Sequence, residues 1–320
     1  MIIFITNTPD HKTDSMIKKK LSEKDSGFKL ISPELDESEI KNELTQHENL
    51  LVLLKPNYWN IFKVCNILLD LKIPSINSAE ITKLFKNRVD IENKLKIIFN
   101  TELPKNLKSN ISLPRSWYLL SGQDLKEDEL QSLEENIKKH FKSKFPLIVK
   151  YPINHTGFHF IKKITTLEQI LMLKPLIQTS GLIVQEEIDS NDILKSYCLG
   201  NKIFSQRQKE KIGTLHIEKG WDLKEILQKN QHKVKSTKKL TRNTVQTPLK
   251  ITDFMRFIKK RFNISIFGAD FLIKNSYDNF QQYYLVDIND FPGCRGVERA
   301  GEYISRFVYE RYLQLFENKN

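Results

Sequence analysis

Two of the most apolar runs in the chain each carry a carboxylate. FGADFLI (Phe267–Ile273) holds Asp270, and YYLVDIND (Tyr283–Asp290) holds Asp287, with Asn289 two positions further on. Runs of this composition and length read as strands, and they suit an antiparallel pair. Residues two apart on a strand face the same side, so Asp287 and Asn289 share a face. Burying such a group among Phe, Leu and Ile without a partner costs on the order of 2–7 kcal/mol even when it is neutral. The strands therefore either place these groups at ends and turns, where they cap the chain, or converge their oxygens on a cation. Three oxygen-bearing side chains that leave positions open suit a hard ion such as magnesium. Asp270, Asp287 and Asn289 taken together favour the cation.

The rest of the chain alternates strand and helix patterns. Ile2–Thr6 reads as a strand, about Ser15–Lys24 as a helix, Leu50–Lys55 as a strand, Trp59–Leu71 as a helix and Ile73–Asn77 as a short strand. Leu50–Lys55 is continuously apolar, which fits a strand covered on both faces. Asn77 or Ser78 can cap a helix that runs to about Lys86. This alternation predicts a parallel α/β lobe. A second region holds Trp117–Leu120, a charged helix around Lys126–Phe141, a strand–loop–strand unit over Pro146–Lys163 and a helix over about Leu167–Gln178. A third opens on the strand Gly181–Ile188. Two strands around a Gly200-Asn201 turn follow, then an exposed lysine-rich tract to Arg242 and a helix over about Thr252–Phe262. The carboxylate strands and a closing helix, Arg299–Phe316, complete the chain. The expected division is 1–85, 86–180 and 181–320.

Charge narrows the partners. The 51 Lys and Arg exceed the 39 Asp and Glu, giving a net charge of +12. That balance implies a polyanion: nucleic acid, a membrane surface or a phosphorylated small molecule. Trp221 is the only aromatic residue from Gln208 to Asp253, so the lysine-rich tract offers no evident base-stacking platform. No apolar stretch approaches the length of a membrane span. Cys65, Cys198 and Cys294 are far apart and fit a reducing compartment. The expectation is a cytoplasmic protein with no nucleic-acid partner and no membrane span; the sequence leaves the oligomeric state open, with a monomer favoured.

Several other residues carry chemistry, each with a plainer alternative. Lys150 ends the apolar run PLIV and can reach the phosphates of a nucleotide or snorkel to solvent. Gln185 and Glu186 end the strand IVQEE and can read an adenine edge or face water. His155 and His159 have the spacing of a helical zinc pair, but Pro152 and Gly157 argue against a helix, and a phosphate-contacting loop suits them better. FPGCRG, with Gly293 and Gly296, can hold a phosphate on backbone N–H groups or form an ordinary turn. The chain has no GxxxxGK[ST], GxGxxG or GxSxG motif.

In this order, a strand-end Lys, a Gln-Glu strand, an Asp and then Asp-x-Asn-x-Phe-Pro-Gly, the chain resembles the ATP-grasp superfamily. Within it, the chain is most similar to the inositol 1,3,4-trisphosphate 5/6-kinases. VDINDFPG (Val286–Gly293) resembles that family's metal segment, FGADFLI its preceding strand, and KSYCLGNKIFSQR its Lys-bearing hairpin. NSAEITKLFKNRVDIENKL (Asn77–Leu95) resembles its arginine segment, and LLKP its substrate-lysine strand end. The resemblance implies an α/β (α+β) ATP-grasp fold, with an N-terminal parallel α/β lobe and two lobes enclosing ATP. It implies magnesium on Asp270, Asp287 and Asn289. ATP would lie on Arg88, Lys150, Gln185, Glu186 and Lys195. An inositol phosphate would lie on Lys12, Lys55, His155, His159, Lys195, Asn289 and Gly293. Asp287, Lys150 and Lys195 would be the catalytic residues.

The chain departs from the family in places. The family's Lys-x4-His-Gly-Thr-x2-His loop here reads Lys150-x4-His155-Thr156-Gly157-Phe158-His159, one residue shorter and with the small pair inverted. Gln206-Arg207 is followed by Gln208-Lys209 where the family has Pro-Ser. Two other function classes compete. One is an ATP-grasp carboxylate–amine ligase of the glutamate-ligase type, using the same nucleotide and metal groups. The other is a non-enzymatic binder of polyanionic surfaces through the basic tract.

Overall fold

The structure, a computed structural model, describes residues 1–24, 27–55, 58–119, 135–137, 139–142, 145–152, 161–209, 224, 243–275, 281–294 and 296–317. It opens with β1 (Ile2–Thr6), α1 (Lys12–Ser22), β2 (Phe28–Ile31), α2 (Glu37–Thr45), β3 (Leu51–Lys55), α3 (Tyr58–Asp70) and β4 (Ser75–Ile76). The four strands form a parallel sheet in the order β2-β1-β3-β4. Its central strands are covered on both faces, as their unbroken apolar runs require. Ile3, Ile5, Val52 and Leu54 bury into one core, while Ile2, Phe4, Leu51 and Leu53 bury into another. The first helix begins at Lys12, earlier than its apolar periodicity suggests, because His11 caps it: Nδ1 accepts from the Thr13 N–H at 3.4 Å. β2 and α2 lie outside the sequence expectations. α2 starts on a reciprocal capping box between Asp36 and Glu39, a signal that is legible in the sequence.

Next come α4 (Ala79–Lys86), α5 (Arg88–Thr101), α6 (Lys105–Lys108), β5 (Ile111–Ser112) and β6 (Ser116–Leu119). Ser78 caps α4, its Oγ accepting from the Ile81 N–H at 3.4 Å. β7 (Leu147–Lys150), β8 (Ile161–Ile164), α7 (Leu167–Leu171), α8 (Lys174–Ser180) and β9 (Leu182–Glu186) follow. The helix expected over Leu167–Gln178 is split in two, with Pro175 in the first turn of α8. β6, β9, β7 and β8 form an antiparallel sheet in that order. The charged helix around Lys126–Phe141 is described only at residues 135–137 and 139–141.

The last sheet uses β10 (Asp192–Leu199), β11 (Lys202–Lys209), β12 (Asn243–Val245), β13 (Ile266–Asn275) and β14 (Gln281–Asp290). It runs β12-β11-β10-β13-β14-β5, with α9 (Leu249–Phe262) over one face and α10 (Ala300–Phe316) over the other. Almost all of the lysine-rich tract lies outside the described residues. Two boundaries differ from the expected division. β9 was expected to open the third region, yet it pairs with β6 and β7, because Leu182 and Val184 bury against Leu147 and Val149. α5 was expected in the second region, yet its Ile91, Leu95 and Ile98 pack with Phe254 and Phe271 of the third, and β5 pairs with β14. Among the described residues, no helix is long and apolar enough to cross a membrane.

One irregularity positions the site. Asp270 faces Asp287 across β13 and β14, but the next residue, Phe271, faces Leu285, so Val286 is an extra residue on β14. Before it, Tyr283 and Leu285 point into the apolar core; after it, Ile288 does. The bulge thus reverses the inward and outward alternation. Asp287 and Asn289, two and four residues beyond Leu285, would otherwise enter that core.

The Gly200-Asn201 turn joins β10 to β11 as the sequence suggests. Gly200 has φ +65°, and a Cβ there would lie 2.6 Å from Cδ2 of Phe307 on α10. Gly200→Ala combines backbone strain with overpacking and is expected to lose about 2–4 kcal/mol in urea denaturation. A loss below about 1 kcal/mol would contradict this packing.

Candidate functional site

A row of polar side chains crosses the last sheet. Gln206 on β11 faces Lys195 on β10, Lys195 faces Asp270 on β13, and Asp270 faces Asp287 on β14. Directly opposed residues in antiparallel strands share a face, so the row forms one surface. Lys195 Nζ lies 2.9 Å from Asp270 Oδ2. Asn289 Nδ2 donates to Asp287 Oδ2 at 2.9 Å. Arg88 Nε is 3.5 Å from Asp287 Oδ1.

The central sheet reaches this row through two cations. Arg88 is the first residue of α5, held there by the Asn87 cap. Its Nη1 donates to the Tyr151 carbonyl at 2.9 Å, and its backbone N–H donates to the Pro152 carbonyl at 2.9 Å. Arg88 therefore ties the end of β7 to Asp287. Lys150, the last residue of β7, is buried, and its Nζ donates to the Val286 carbonyl at 2.7 Å. The bulge residue thus supplies the acceptor for this ammonium. Burial holds the Lys150 pKa below its ordinary value; Glu92, Asp287 and Asp270 oppose that shift, while Arg88 adds to it.

The oxygen set fits a hard cation. Asn289 Oδ1 is buried and has no hydrogen-bond partner among the described residues. A buried acceptor left without a donor costs about 1–3 kcal/mol, and a cation removes that cost. Among the described residues, no three His, Cys, Asp or Glu side chains gather in a metal-binding group. The set here is two carboxylates and an amide oxygen. All three donors are oxygen, which suits magnesium rather than zinc.

A turn after β14 brings the N-terminal lobe to the same place. Phe291 has φ +39° and starts the turn. A Cβ on Gly268 would lie 3.1 Å from Pro292, so that glycine lets the turn fold down on the sheet. Thr13 Oγ1 donates to the Gly293 carbonyl at 3.1 Å. The His11 ring would lie 3.9 Å from a Cβ on Gly293. Lys55 sits 5.7 Å over the Phe291 ring and pairs with Asp14. Asp14 is fully buried and also accepts from Thr6 Oγ1 at 3.1 Å and Thr8 Oγ1 at 2.8 Å.

The structure thus gathers Asp270, Asp287, Asn289, Lys195, Lys150 and Arg88, with Lys55 and Gly293 meeting at the turn. Gln185 is buried on β9 and lines a narrow cleft with Arg88, Glu92, Ser116 and Asp287. Glu186 is held by Arg115, accepting from its N–H at 2.8 Å and its Nε at 2.7 Å. Lys12 is exposed at the start of α1. His155 and His159 lie outside the described residues.

Sequence reasoning passed over three groups. Asp14 orients Lys55. Glu92 accepts from Ser116 Oγ at 2.9 Å and from the Tyr118 hydroxyl at 3.2 Å beside the cleft. Lys86 and Asp290 form a buried ion pair at 3.0 Å. Asp290 directly follows the Asp-x-Asn pair and could have been noticed. Lys86 could not, since a lysine in the last turn of a helix reads as solvent-facing.

A family model for the inositol 1,3,4-trisphosphate 5/6-kinase ATP-grasp domain matches residues 124–310. No curated protein matches the chain. Among solved structures, a RimK domain ATP-grasp protein from Sphaerobacter thermophilus superposes with a TM-score of 0.62 at 12% identity, over 96% of this chain and 99% of that one. D-alanine–D-alanine ligase from Bacillus anthracis, complexed with ATP, gives 0.61 at 14% identity, over 100% of both chains. The D-cycloserine synthetase DcsG gives 0.65 at 10% identity, over 98% and 100%. These likenesses establish the fold, which is ATP-grasp.

The buried Lys150 carries a testable consequence. Its pKa in the folded chain lies below the ordinary 10.5, so the unfolded chain binds more protons between those two values. Unfolding free energy therefore gains a rising contribution across that alkaline window, while the full penalty remains below it. Lys150→Met is expected to lose that rise in denaturant titrations run at a series of alkaline pH values. A variant with the wild-type slope would contradict the burial of a charged Lys150.

Proposed function

The chain belongs to the family of the inositol 1,3,4-trisphosphate 5/6-kinase ATP-grasp domain, and from that membership we propose that it is an inositol phosphate kinase. It would move the γ-phosphoryl group of ATP to a hydroxyl or phosphate of a phosphorylated inositol, in the presence of magnesium. The observation that carries this reading is the polar row itself. Oxygen donors on Asp270, Asp287 and Asn289 adjoin the cations Lys195, Arg88 and Lys150 on one surface.

In this reading Asp270, Asp287 and Asn289 hold magnesium, which offsets negative charge on the transferring phosphates. Arg88, Lys150, Gln185, Glu186 and Lys195 take the nucleotide. Lys150 is desolvated, so its interaction with a phosphate is weakly screened and strong. Lys12, Lys55, His155, His159, Lys195, Asn289 and Gly293 take the acceptor. Asp14 fixes Lys55 beside the turn that carries Gly293. Phosphoryl transfer through a loose transition state asks mainly for alignment and charge stabilisation, and Asp287, Lys150 and Lys195 supply both. The three cysteines are buried and free of disulfides, in keeping with a reducing, cytoplasmic compartment.

A second reading is an ATP-grasp carboxylate–amine ligase, the class to which D-alanine–D-alanine ligase belongs. Its support is the shared fold, at 14% identity. The acceptor side argues against it: Lys55, His155, His159 and Lys195 suit phosphates better than an amino acid.

ADP release with magnesium-ATP should appear with a phosphorylated inositol alone. Release only when an acid and an amine are supplied together would move the protein to the ligases. Asp287→Ala should lower turnover roughly a thousandfold or more, since several kcal/mol of charge stabilisation is lost. Its circular dichroism should stay that of the wild type. Retained turnover would remove Asp287 from the metal set.

A further inference from the structure

The polar row has a fourth member that neither the metal nor the nucleotide accounts for. Gln206 is 1% exposed, and among the described residues neither its Nε2 nor its Oε1, both buried, has a hydrogen-bond partner. The neighbouring pair on the same two strands behaves differently. Ser196 and Ser205 face the opposite side of the sheet and are equally buried, but their hydroxyls bond each other at 2.8 Å. The fold thus satisfies a buried polar pair on the face that α9 covers and leaves Gln206 unsatisfied on the site face. Methionine would fill nearly the same volume with no amide to satisfy, so the glutamine weakens the folded state unless something bonds it.

The surroundings say what that something is. Gln206 stands directly across from Lys195, which faces Asp270. Its amide occupies the space that a Cβ on Gly296 would fill: such an atom would sit 2.5 Å from Nε2 and 3.0 Å from Oε1. Gly296 has φ +88° and belongs to the turn that carries Gly293. The amide therefore lies between the lysine of the row and the turn next to the oxygen site. It offers a donor and an acceptor side by side, and both are unmatched. A metal ion would satisfy only Oε1, and a bare phosphate only Nε2. A ring that bears a hydroxyl next to a phosphate matches both.

Resting on the kinase reading above, we propose that Gln206 is a specificity-determining residue for the acceptor. Its Oε1 accepts from a ring hydroxyl, and its Nε2 donates to an oxygen of the adjacent phosphate. Rotation of the side chain toward its cross-strand neighbour Lys195 delivers the amide to the surface of the row.

Gln206→Met and Gln206→Glu test this, with melting temperature and steady-state kinetics read on wild type and both variants over a panel of inositol phosphates. Without ligand, Gln206→Met is expected to melt at or above the wild-type temperature. Its KM for the accepted inositol phosphate should rise about tenfold or more, while its KM for ATP stays unchanged. Gln206→Glu should lose more, because it sets a negative charge against the phosphate. A methionine variant that melts several degrees lower with an unchanged acceptor KM would make Gln206 a structural residue and overturn the proposal. Equal binding and turnover by wild type and both variants would overturn the role of Gln206 and leave the kinase reading standing. A wild type that neither shifts in melting temperature nor turns over with any inositol phosphate would overturn both.

Discussion

The site hangs on one extra residue. Val286 breaks the register between β13 and β14, and two consequences follow at once. The alternation of β14 reverses, so Asp287 and Asn289 leave the apolar core that Tyr283 and Leu285 enter. The carbonyl of Val286 becomes the acceptor for Lys150, so the central sheet is pinned to the last one beside the oxygen donors. Arg88 makes the second tie, from the Tyr151 carbonyl to Asp287. A regular strand in this position would bury two polar residues among Phe and Leu and leave Lys150 without this anchor. The bulge is what allows an apolar strand to carry a polar site.

Charge is arranged in pairs around that site. Lys195 meets Asp270, Arg88 meets Asp287, Lys55 meets Asp14 and Lys86 meets Asp290. The chain is basic overall, yet these four cations each face a carboxylate, while Lys150 is held by the Val286 carbonyl. Of the four, Lys86–Asp290 is buried on both sides, and breaking such a pair costs about 3–5 kcal/mol because one charge is left stranded. A ligand set that brings both a cation and polyanions can take up both halves of such pairs, whereas a polyanion alone would leave the carboxylates facing it. This explains why a site rich in lysine and arginine also keeps Asp270 and Asp287 at its centre.

Much of this was legible in the sequence. β1, β3 and the β13/β14 pair stand out as apolar runs, and the polar residues inside the last two mark the oxygen site. The bulge left a trace too: Leu285 and Val286 are adjacent apolar residues where strict alternation allows one. The lobe boundaries were not legible. β9 and β10 are neighbours in sequence but join different sheets, and β5 is a two-residue strand whose partner lies 172 residues away, in the pairing of Tyr283 with Ile111. Arg88 was reached only through family resemblance, since a residue at a helix start gives no hint of a carboxylate on a distant strand. Asp14 gave no signal, and Gln206 appeared only as part of the family-like hairpin, with no role attached. Their meaning comes from burial and from the presence or absence of partners, which only the folded chain reveals.

The central claim is that this row transfers a phosphoryl group to a phosphorylated polyol, and the fate of the γ-phosphorus tests it most directly. Phosphorus NMR should follow magnesium-ATP and an accepted inositol phosphate through turnover. The account predicts one new ester or anhydride phosphorus on the inositol for each ADP formed, with no matching inorganic phosphate. Inorganic phosphate released in step with ADP, with the inositol unchanged, would contradict it.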